Sequence, residues 1–64
     1  MIGGKRMALY IETISERGGF VVRLCQGCEV IERITFLTLD GANNYKHRLH
    51  NRYGDITEMD LKVF

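Results

Sequence analysis

The sequence predicts an α+β domain: an antiparallel sheet of three to four strands with one helix packed on one face, in the order β-β-β-α-β. Three observations predict it. Residues 57–64 alternate apolar with polar, and residues 7–14 and 20–25 are β-like segments that divide their side chains between two faces at a period of two. Between residues 40 and 53 the spacing changes to three and four, which places Ala42, Tyr45, Leu49 and Tyr53 on one helical stripe. Glycines stand at the joints, at Gly18-Gly19, Gly27 and Gly54, where the chain has to reverse or stop.

Taken in order, residues 1–6 (MIGGKR) are Gly-rich and charged, and are expected to form a flexible arm ahead of a single domain over 7–64. Residues 7–14 (MALYIETI) put Leu9 and Ile11 on one face and Tyr10 on the other. A turn follows at 15–19 (SERGG), then a second strand over 20–25 that sets Phe20, Val22 and Leu24 against Val21, Arg23 and Cys25. Gln26-Gly27 is the expected two-residue hairpin turn. Residues 30–39 (VIERITFLTL) are rich in β-branched and aromatic side chains and read as one long strand. The helix then spans 40–53, with Thr38 or Asp40 as N-cap and Gly54 as its left-handed stop. In the last strand Met59, Leu61 and Val63 are expected inward, and Glu58, Asp60 and Lys62 outward.

One helix shelters one face of a sheet. The third strand, however, offers Ile34 and Phe36 on one side and Ile31, Leu37 and Leu39 on the other, and Val21 and Tyr10 also fall opposite their apolar neighbours. Either another chain covers the second face, or a bulge shifts the register within the strand. An exposed apolar patch on a small domain marks a contact surface, and the sequence favours the covering partner.

Sixty-four residues make one domain. At this size folding buries only about 60% of the unfolded chain's surface, so a staple or a second chain commonly adds stability. A net charge of +1 argues against both a strongly electrostatic nucleic-acid binder and an acidic DNA mimic. No apolar run is long enough to span a membrane, and the first residues lack the apolar core of a secretion signal. A cytoplasmic location with reduced thiols is therefore expected, with no membrane partner.

Cys25-Gln-Gly-Cys28 raises two chemical alternatives. With His47 and His50 it supplies four potential zinc ligands, but the strand after Cys28 carries the chain away, and His47 projects from the apolar stripe toward solvent. A redox dithiol needs a helix N-terminus behind the first thiol, and a strand sequence follows here instead. Two small apolar residues flanking a turn, with the thiols facing each other across it, is the preferred reading; neither metal nor cofactor is expected. Catalysis lacks a constellation as well. Ser15 is the lone serine, in a turn, and no group is placed to orient His47 or His50 as a general base. Lys46, Arg48 and Arg52, with His47 and His50, make the helix locally basic, which keeps DNA or RNA binding open as a second reading.

Gly18-Gly19-Phe20-Val21-Val22, then Gly27-Cys28, then Thr38-Leu39-Asp40-Gly41-Ala42 opening a helix, resembles the N-terminal domain of HicB-type antitoxins. The resemblance covers roughly residues 7–63. It implies a partial ribonuclease H-like β-β-β-α-β fold and a non-catalytic domain that binds a toxin. Here Gly41 stands where that family has an acidic residue, and the family's segment bearing proline and aspartate before the Gly-Cys is absent. The same order of elements is similar to small phage proteins that inhibit a host enzyme by covering its surface. A stoichiometric protein binder that self-associates is the resulting expectation. Its contacts would be Arg48, Arg52 and His47 on the outer helix, and Ile31, Arg33 and Leu37 on the exposed sheet face.

Overall fold

A computed structural model describes residues 8–62 in five elements: β1 (Leu9–Glu16), β2 (Gly19–Gln26), β3 (Glu29–Phe36), α1 (Leu39–Tyr53) and β4 (Thr57–Lys62). The arm expected at residues 1–6 and the inward placement of Val63 lie outside the described residues.

The strands lie in the order β3-β2-β1-β4. β2 is antiparallel to both neighbours, whereas β4 runs parallel to β1, so the sheet is mixed rather than antiparallel throughout. Chain direction explains the correction. Two tight hairpins make β3 run the same way as β1, and α1 carries the chain back across the sheet. The next strand must then run as β3 does, and a helical crossover is the connection that parallel pairing requires.

Both hairpin turns contain two residues. Glu16 pairs with Gly19, leaving Arg17 and Gly18 in the turn, and Gln26 pairs with Glu29, leaving Gly27 and Cys28. The second turn thus lies one residue later than predicted, because Gly27 occupies its first position with φ +63°. Cys25 consequently sits opposite Val30, so the two thiols do not face each other; Cys25 is buried and Cys28 exposed, both as free thiols. Gly19 is needed for a different reason. A Cβ there would lie 2.6 Å from the carbonyl oxygen of Phe36, so the β2–β3 ladder closes only over a bare α-carbon.

The third strand ends at Phe36, three residues short of its expected end. Thr38 competes for the backbone there. It adopts extended angles, its hydroxyl accepts a hydrogen bond from the Gly41 amide at 3.2 Å, and its carbonyl accepts from the Ala42 amide at 3.3 Å. That N-cap draws Leu39 into the helix and leaves Leu37 in the connection. At the other end Gly54, with φ +83°, donates its amide to the His50 carbonyl at 2.7 Å and ends the helix.

The core lies between α1 and the middle of the sheet. Ile11, Val22, Leu24, Ala42 and Leu49 form it, with Leu9, Phe20, Phe36, Tyr45 and Ile56 packed around them. This is the alternation and stripe read in the sequence, apart from Tyr53, which is 41% exposed.

Candidate functional site

The β1 register assigns each side chain to a face, because residues directly opposite one another point the same way. Ile11 pairs with Leu24 on one side and Glu58 on the other, so Glu58 points toward the helix. Glu12 pairs with Met59 and Ile14 with Leu61, so those two apolar residues lie on the face turned away from it. The expected orientation of β4 is therefore reversed. Alternation gives a period without a sign: a one-residue choice exchanges the two faces.

Polar neighbours on the helix account for the reversal. β4 lies beneath the cationic flank of α1, not beneath its apolar stripe. Glu58 there meets Lys46 Nζ at 3.4 Å and His50 Nε2 at 2.5 Å. His50 Nδ1 lies 3.3 Å from the Gly54 carbonyl oxygen, so both ring nitrogens face acceptors. Two acceptors are satisfied together only by the doubly protonated ring. The bond to Glu58 accordingly raises the His50 pKa above its ordinary 6.5, and the bond from His50 holds Glu58 below its ordinary 4.5. His50 is therefore held between two acceptors, where the sequence showed no group placed to orient it, and Lys46 points inward with a side chain only 13% exposed. The helical spacing of Lys46 and His50 was visible in the sequence; the carboxylate between them was hidden by the face assignment.

The sign of the pH dependence follows from these two directions. A raised histidine contributes stability below its unfolded pKa and loses it as pH rises through the folded value. A lowered carboxylate contributes above its unfolded pKa and loses it as pH falls through the folded value. Glu58→Gln should therefore lower the melting temperature most between about pH 4.5 and 6.5, where both groups are charged. The deficit should shrink at alkaline pH to what the Lys46 contact supplies. Thermal melts of both proteins across pH check this, and an unchanging difference would contradict the pairing.

On the opposite side of the helix, the Tyr45 hydroxyl donates to Glu32 Oε1 at 2.5 Å, and Arg52 Nη1 lies 3.9 Å from Glu32 Oε2. Burial, and then the bond to Glu32, push the Tyr45 phenol up to about 12. Phe36 packs against the Tyr45 ring at 5.5 Å. The helix is thus tied to both edge strands through carboxylates that accept from its flanks.

The back face of the sheet has one ion pair among buried residues at its centre and an apolar border. Arg23 on β2 is paired with Glu12 on β1, and Cys25 Sγ lies 3.9 Å from the same Glu12 oxygen. The Tyr10 hydroxyl donates to the Gly27 carbonyl at 3.1 Å. Burial, followed by the neighbouring Cys25 thiol, raises the Tyr10 pKa. Val21 and Cys25 are buried in the centre, whereas Val30 on β3 is 46% exposed and Met59 and Leu61 on β4 are 43% and 39% exposed.

Of the two alternatives raised by the sequence for the second face, the bulge is present. The ladder steps from Leu24–Glu32 to Cys25–Val30, so Ile31 is an extra residue in a bulge. The expected contact residues do not form one patch. Ile31 and Arg33 lie exposed on edge strand β3, Leu37 is 84% exposed in the following connection, and His47, Arg48 and Arg52 are exposed on the helix. Met59 and Leu61 were missed as surface residues, for the reason of face sign given above.

Among the described residues no group of three or more histidines, cysteines and carboxylates is placed to hold a metal ion, and no helix is long and apolar enough to cross a membrane. No protein-family model, curated protein or solved structure matches the chain.

Proposed function

We propose that this chain is a non-catalytic protein-binding domain, an antitoxin-like or phage-type inhibitor that covers a partner's active surface and self-associates through its sheet. The observation that carries the reading is the placement of exposed apolar side chains. Val30, Ile31, Met59 and Leu61 stand 39–46% exposed along the two edge strands of so small a sheet. Water contact at such side chains costs about 25 cal/mol per Å² of apolar surface, which a partner surface removes. The order of elements that the HicB-type resemblance implies is also the order of this chain. A cytoplasmic setting suits the two free thiols.

The rival reading, DNA or RNA bound along the basic helix, loses support from the same geometry. Lys46 is turned to Glu58 and Arg52 to Glu32, which leaves a shorter cationic stripe than the sequence offered. The test is affinity capture from the native host with the chain as bait. The reading expects a stoichiometric protein partner that survives nuclease treatment and is lost with the Ile31→Ala, Leu37→Ala variant. Capture that disappears on nuclease digestion, with a gel shift that weakens steeply as salt is raised, would replace it with the rival.

A further inference from the structure

Beside edge strand β3 the helix overhangs the sheet and leaves a groove of about 260 Å³, lined by Ile34, Phe36, Gly41, Asn44, Tyr45 and Arg48. Its floor is apolar. Ile34 is 40% exposed there, next to the half-buried rings of Phe36 and Tyr45. The helical side comes from positions 41, 44, 45 and 48, which share one face of α1. Gly41 keeps that face low: a Cβ on it would lie 3.1 Å from the Phe36 ring, at the groove wall.

The charges of the groove are uneven. Glu32, at the end nearest Arg52, is already engaged by the Tyr45 hydroxyl and the Arg52 guanidinium. Arg48 stands exposed on the rim and, among the described residues, makes no ion pair. An apolar slot with an unpaired guanidinium at its lip suits an aliphatic or aromatic side chain followed by a carboxylate, since arginine holds carboxylates through paired N–H donors. The bulge at Ile31 interrupts the outer edge of β3, which disfavours a long added strand and favours a short anchored segment.

We infer that this groove docks a short acidic peptide segment of the partner protein, with an aliphatic or aromatic anchor over Ile34 and Phe36 and a carboxylate on Arg48. The inference rests on the protein-binding reading and adds the chemistry of the partner.

A random peptide library displayed on phage and selected on the whole chain tests it, followed by titration of the enriched peptides into ¹⁵N-labelled protein. The expected result is enrichment of Asp or Glu next to Leu, Ile or Phe, with amide shifts centred on Ile34, Asn44 and Arg48. Arg48→Glu, an exposed substitution that leaves the core untouched, should weaken those peptides by about tenfold or more, and selection on it should favour Lys or Arg instead. Ile34→Gln should weaken both sets. Enriched peptides without acidic residues, or shifts centred on Met59 and Leu61, would overturn the groove while leaving protein binding intact. No enrichment, or displacement of the peptides by a single-stranded RNA at Arg48, would overturn it as well. The capture experiment above judges the broader reading separately.

Discussion

Leu24→Ala is expected to remove a large share of the domain's stability. Leu24 is fully buried, on the central strand β2, within the cluster made with Ile11, Val22, Ala42 and Leu49. Truncation of a buried leucine removes its transfer free energy and leaves a cavity, together costing about 2–5 kcal/mol. A chain of 64 residues has about 3–10 kcal/mol of total stability. One helix over one sheet offers few neighbours that can close the gap, so the loss falls toward the upper end. Urea titration followed by circular dichroism checks it: the midpoint should fall steeply with an unchanged slope. A midpoint near that of the parent chain would show that the helix-side cluster is not the main core.

The paired substitution Met59→Thr, Leu61→Thr should do the opposite, sparing the fold and abolishing association. Both side chains point away from the helix and are about two-fifths exposed, so their loss leaves no sealed cavity. Threonine keeps the β-branched shape that strands accept, and the two changes together should cost about 0.5–1 kcal/mol or less. What is removed is the apolar border of the back face on edge strand β4. Thermal melting within a few degrees of the parent, with loss of self-association, is the expected pair of results. A large fall in melting temperature would mean that Met59 and Leu61 belong to the core after all.

Periodicity made most of this fold legible. The three-and-four spacing of Ala42, Tyr45 and Leu49 marks a helix over one face, and that is where the core forms. The N-cap at Thr38 and the stop at Gly54 were visible for the same local reason: each satisfies the backbone at a helix end. Three features were not legible. The direction of β4 emerges only when both hairpins and the helical crossover are counted together, which no single stretch records. The sign of its alternation depends on which flank of the helix lies above it, and a charged flank there selects Glu58 over Met59. The bulge was foreseen as one explanation for the third strand's two apolar faces, but its position at Ile31 was not, because no glycine or proline marks it. The candidate contact residues shared this fate: exposure was read correctly for Arg33 and Arg48, but common placement was not, because Leu37 left the strand once Thr38 capped the helix.

The most direct test is sedimentation equilibrium of the unaltered chain over a wide range of dilution, beside Met59→Thr, Leu61→Thr. A back face with an uncovered apolar border predicts a mass above 7.4 kDa that falls toward that value on dilution, and a variant that stays at 7.4 kDa throughout. A parent chain that remains monomeric at every concentration, with a spectrum unchanged by dilution, would contradict the claim that this sheet seeks a second surface.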